Sequence, residues 1–89
     1  MDKELRGEAA AQLLKNPVLV EALKAMHEDA DAKWLGTSWN DVAAREWVFM
    51  YRNCIFKFEE VLRGFIDSGR LAKIDRERSK IEKVTSLFK

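Results

Sequence analysis

One cysteine, one histidine, one proline and four glycines stand among 89 residues, and each scarcity removes a class of protein. Cys54 has no second cysteine to pair with, so no disulfide framework holds the fold. One cysteine and one histidine fall short of the four-ligand set of a structural zinc site, and a Cys54–His27 dyad would be the whole inventory for nucleophilic catalysis. No glycine-rich run is present to cradle a phosphate. No apolar stretch nears the ~20 residues of a membrane span, and Met1 to Glu8 is charged, unlike a signal peptide. These absences lead to the expectation of a cytosolic, non-enzymatic protein with no metal, no cofactor and no membrane partner.

What the chain does contain is helical. Hydrophobic residues make up 47% and charged residues 35%, the composition of a folded helical chain and not of a disordered one. A chain of this length buries only ~60–65% of its unfolded surface, so self-association is expected. From Ala44 the apolar residues Ala44, Val48, Tyr51, Ile55, Phe58, Leu62 and Phe65 recur at alternating spacings of four and three. That pattern is the seam of a long amphipathic helix, and other helices must cover it.

Local signals place the remaining elements. Asp2 is expected to cap a first helix running to about Lys15, with Leu5, Ala9, Leu13 and Leu14 inward. Asn16-Pro17 reads as an N-cap with proline at the first helical position, opening a second helix to near Trp34 that buries Leu19, Leu23, Met26, Ala30 and one face of Trp34. Gly36 is the expected left-handed stop. Ser38 with Asp41 approximates a capping box, with Asn40 and Asp41 as competing caps. The third helix is expected to end at Ser68, before Gly69. The fold class that follows is all-α: a short N-terminal helix and an antiparallel helical hairpin with one long member, assembling into a helical-bundle oligomer. Residues 1–69 form the hairpin domain in this reading and 70–89 a basic helix or tail.

Several groups are candidates for a working surface. Trp47, Phe49, Met50, Phe56 and Val61 lie outside the main seam of the long helix and Phe65 on it; together they are the expected interface for a second copy or another protein. Trp34, Trp39 and Trp47 cluster around the connection, where they are expected to plug the open end of the hairpin; Trp39, in the loop, is the candidate partner anchor. Cys54 is expected to be a reduced small hydrophobe in the core. His27, Glu28, Asp29 and Asp31 read as a solvated acidic patch in preference to a cation site, and Asp41 and Arg45 as an i,i+4 pair. Residues 1–69 carry nine Lys/Arg against twelve Asp/Glu, whereas residues 70–89 carry seven against three. Arg70, Lys73, Arg76, Arg78, Lys80 and Lys83, with Lys89 beyond them, are therefore the candidate phosphate contacts, the route by which nucleic acid could bind.

Arg6-Gly7, Leu13-Leu14-Lys15-Asn16-Pro17, Trp34-Leu35-Gly36-Thr37, Asp41 to Glu46 and Ser68-Gly69-Arg70-Leu71-Ala72 together resemble a group of small helical proteins encoded by tailed bacteriophages and prophages. The resemblance covers residues 6 to 72 and departs at Trp39-Asn40 and in the extended basic tail. It implies a phage gene lying among head and packaging genes, a product in the bacterial host cytoplasm or the virion, and a partner among phage structural or packaging proteins. It supplies no catalytic residues. The expectation is a homo-oligomeric interaction module in virion assembly or DNA packaging. The alternatives are an inhibitor of a host defence or host enzyme and a nucleic-acid binder acting through the tail.

Overall fold

The computed structural model describes residues 1–87, and all of its regular structure is helical: α1 Lys3–Lys15, α2 Pro17–Leu35 and α3 Val42–Leu87. The first two helices start where local chemistry puts them. The Asp2 carboxylate accepts from the backbone N–H groups of Glu4 (2.8 Å) and Leu5 (3.2 Å), two of the donors an N-terminal turn leaves unpaired. Asn16 does the same for Val18 at 2.9 Å and Leu19 at 3.4 Å. Pro17, at the first helical position, loses no hydrogen bond there.

Two ends differ from expectation. Gly36 is right-handed (φ −81°, ψ −8°). The end of α2 is closed instead by Thr37, whose backbone N–H and side-chain hydroxyl both donate to the Trp34 carbonyl, at 3.2 and 2.7 Å. Asp41 alone caps α3, accepting from the Ala44 N–H at 3.1 Å, while Ser38 contributes only its carbonyl to the turn.

The larger correction is at Gly69. The third helix does not end at Ser68; it continues through Gly69 for 46 residues in all, a rod of about 69 Å that sets the 72 Å long dimension. The glycine serves a crossing. A Cβ on Gly69 would stand 2.9 Å from the Lys3 carbonyl oxygen and 3.1 Å from the Gly7 Cα, and one on Gly7 would stand 2.8 Å from the Phe65 carbonyl oxygen. The backbones of α1 and α3 touch here because neither residue has a side chain. Good helix formers follow in Leu71, Ala72 and Lys73, with no proline to stop the turn.

Contacts along α3 fall in one order: Glu4 with Arg76, Gly7 with Gly69, Arg6 with Phe65, His27 with Glu59, Asp31 with Arg52 and Trp34 with Arg45. Both α1 and α2 thus lie in succession beside one long helix. The buried column on α3 is Val48, Ile55, Leu62 and Gly69, one residue every seven. Facing elements bury only small residues, Gly7 and Ala10 on α1 and Ala30 on α2. Ala10 is buried where Leu5 and Leu13 were expected, and both leucines are exposed. Of the expected seam, Tyr51 and Phe65 are half-buried and Phe58 is exposed.

Candidate interaction surface

On α3 the apolar side chains that α1 and α2 leave open sort by helical angle. At about 100° per residue, Trp47, Met50, Cys54, Phe58 and Val61 share one flank of the buried column, and all five are exposed. Trp47 stacks on Tyr51 with ring centroids 5.5 Å apart and planes 6° from parallel. Cys54 is exposed and not in the core, because its helical position points past α2. Beside it runs an apolar groove of about 310 Å³ lined by Leu19, Leu23 and Met26 of α2 and Tyr51, Cys54, Ile55 and Phe58 of α3.

The six residues expected to form one interface therefore do not stand together. Trp47, Met50 and Val61 lie on the open flank. Phe65 borders it under the Arg6 guanidinium, 4.2 Å from the ring centroid, a cation–π contact that partly covers it. Phe49 and Phe56 project from the other side of α3, where the Phe56 ring meets His27 at 5.2 Å and 52°. The signal that separates the two sets was in the numbering: positions 47, 54 and 61 repeat every seven residues, and so do 49 and 56, about 160° away.

At the loop end the tryptophans do not plug anything. Trp39 is 84% exposed, and Trp34 and Trp47 also remain exposed. Arg45 organises this end: it donates to the Trp39 carbonyl at 3.3 Å and places its guanidinium 4.6 Å from the Trp34 ring centroid. The expected side-chain pair with Asp41 gives way to these contacts. Trp34, Trp39, Val42 and Phe49 line a shallow depression there.

Polar side chains tie the helices together. Glu59, its side chain 12% exposed, pairs with His27 and also faces Arg63 at 3.8 Å. Asp31 pairs with Arg52. Lys33 donates to both Asp29 oxygens at 2.7 Å, and that hydrogen bond, with the lysine's charge, holds the Asp29 carboxyl below its ordinary pKa. Glu4 accepts from Arg76 Nε at 3.0 Å and Nη2 at 3.1 Å, which raises the arginine's pKa further and fastens the start of α1 to α3. Among the described residues no group of three or more His, Cys, Asp or Glu is gathered as a metal-binding set.

Beyond Ala72 every described residue of α3 is exposed. Lys73, Arg76, Lys80 and Lys83 recur at spacings of three, four and three and so form one basic ridge. Arg70 lines a depression against α1 together with Lys73, Arg78 points elsewhere, Arg76 is engaged by Glu4, and Lys89 lies outside the described residues.

No protein-family model, curated protein or solved structure matches the chain. Among the described residues no helix is long and apolar enough to cross a membrane.

Proposed function

We propose that this protein is a non-enzymatic helical interaction module, an antiparallel hairpin of α2 and α3 braced by α1, that works as a homo-oligomer. One observation carries the reading. The chain exposes 7271 Å², whereas a compact monomer of 10.3 kDa would expose ~5,400 Å². Its radius of gyration is 20.6 Å against ~12 Å for a compact chain of this length. The surplus is rich in large apolar side chains, and water does not favour leaving so many uncovered. Cys54 and His27, from which a nucleophile and base would be drawn, make no hydrogen bond to each other among the described residues.

The resemblance to small phage and prophage proteins gives this module its setting: an accessory role in virion assembly or DNA packaging, with phage structural proteins as partners. A tagged pull-down from infected cells, divided into nuclease-treated and untreated halves, tests it. Portal, capsid or terminase proteins in both halves are the expected result. A host enzyme in their place would convert the reading to an inhibitor of the host.

A second reading rests on the ridge of Lys73, Arg76, Lys80 and Lys83. Four cations on one face of an uncovered helix suit the phosphates of a nucleic acid, and binding through them would weaken steeply with salt. Loss of that binding in a Lys73→Gln, Lys80→Gln, Lys83→Gln variant is the outcome that would favour it; unchanged binding would remove it.

A further inference from the structure

We infer that two copies of this chain pair through α3, antiparallel, about a two-fold axis between Cys54 and Val61, so that Cys54 of each copy faces Phe58 and Val61 of the other. This rests on the self-association proposed above and adds its geometry.

The open flank has the form that such pairing requires. Trp47, Cys54 and Val61 make a column with one residue every seven, bordered by Met50 and Phe58, and all five are exposed. A seven-residue apolar column is the seam of paired helices. An interface about a two-fold axis uses the same patch on both copies, so this one flank is sufficient. The chain exposes 7271 Å² where a compact monomer of its mass would expose ~5,400 Å², and this whole-chain excess of ~1,900 Å² leaves room for the ~800 Å² per partner of a standard stable interface.

Gly64 is an independent pointer. Glycine in a helix interior is unfavourable, and at Gly7 and Gly69 the close backbone crossing explains it. At Gly64 a Cβ would meet nothing within 4 Å in its own chain. The residue lies at the rim of the open flank, and in the proposed register it stands level with the exposed Met50 of the second copy, where the missing side chain leaves room for the methionine.

Charge selects the direction. Parallel pairing would set the ridge of Lys73, Arg76, Lys80 and Lys83 beside its own copy, like charge against like. Antiparallel pairing sends the two ridges to opposite ends.

The native cysteine provides the test. In the antiparallel pair the two Cys54 Cα atoms are offset by several residues along the axis and stand roughly 10–12 Å apart, beyond the ~7 Å limit for a disulfide but within reach of a short bis-maleimide. The full chain would be studied by sedimentation equilibrium and by treatment with bis-maleimide or with copper-phenanthroline. The expected result is a covalent dimer from the maleimide and none from oxidation. Val61→Arg, at a partly exposed site, is expected to weaken the dimer about tenfold or more and to abolish the crosslink while helicity persists. Ready disulfide formation would mean parallel pairing and overturn the inference. An oligomer that neither crosslinks nor responds to Val61→Arg would overturn it while leaving self-association in place. A monomeric wild type would end both, and assign the flank to a different protein.

Discussion

Gly69→Ala puts two opposed effects at one atom, and the geometry says which wins. In an exposed helix interior alanine is better than glycine by about 1 kcal/mol. At Gly69 the new methyl would stand 2.9 Å from the Lys3 carbonyl oxygen and 3.1 Å from the Gly7 Cα. Both are backbone atoms and cannot rotate aside, so α1 must lift by roughly half an ångström, and overpacking of this kind costs about 1–3 kcal/mol. Lifting also loosens the Arg6–Phe65 and Glu4–Arg76 contacts. The net expectation is a loss of about 1 kcal/mol. Gly64→Ala is the control, since its methyl meets nothing within 4 Å and should gain about 0.5–1 kcal/mol. Both changes would be made in the Val61→Arg background at low protein concentration, where the proposed self-association is weakened, and unfolded in urea with circular dichroism as the readout. The two alanines should move stability in opposite directions, about 2 kcal/mol apart. If Gly69→Ala stabilises as much as Gly64→Ala, α1 does not cross α3 at these glycines.

Three further outcomes follow from single contacts. Asn16→Ala removes the acceptor for the Val18 and Leu19 N–H groups and should cost about 1 kcal/mol, read as a lower urea midpoint with an unchanged slope. His27→Ala leaves the largely buried Glu59 facing only Arg63 at 3.8 Å; a loss of about 1 kcal/mol is expected, and an unchanged midpoint would show that the pair contributes nothing. Asp29, held low mainly by Lys33, should titrate in a carboxyl-carbon NMR experiment with a midpoint below 3.8 and return toward that value in Lys33→Met. The sign is that of a depressed acid: the Lys33 contact stabilises the fold above the ordinary carboxylate pKa and is lost as pH falls through the lower folded value.

Legibility in the sequence tracked the range of the interaction. Caps at Asp2 and Asn16-Pro17 were readable because cap, proline and first-turn donors lie within three residues of one another. Gly69 was misread because a terminating glycine and a crossing glycine look alike in one dimension. What distinguishes them is Gly7, 62 positions away. Periodicity located the buried column at Val48, Ile55 and Leu62, yet it overstated the seam's width. The helices set against α3 present Gly7, Ala10 and Ala30, which allow close approach but cannot shelter Phe58 or Cys54. Hydrophobicity alone turns Leu5 and Leu13 inward. The glycine crossing fixes which side of α1 meets α3, and that side carries Ala10. That α3 carries more apolar side chains than its partners cover was legible from their spacing, whereas their division into two flanks required the helical angle of each.

If the proposed pairing holds, packing and assembly in this molecule are one problem. Small residues on α1 and α2 bring backbones together at little apolar gain, and among the described residues Ile55 is the large side chain that becomes fully buried. The bulk of the aromatic and aliphatic surface of α3 therefore lies outside the chain's own core, and in the proposed dimer each copy would supply half of a shared one. When folding and association share the same apolar surface, the folded state is stabilised by the concentration of its partner. A substitution on the exposed flank, such as Val61→Arg, then lowers stability as well as affinity. One at the glycine crossing acts on stability first, because α1 meets α3 at Phe65, Gly69 and Arg76, beyond the stretch of the long helix whose open flank borders α2.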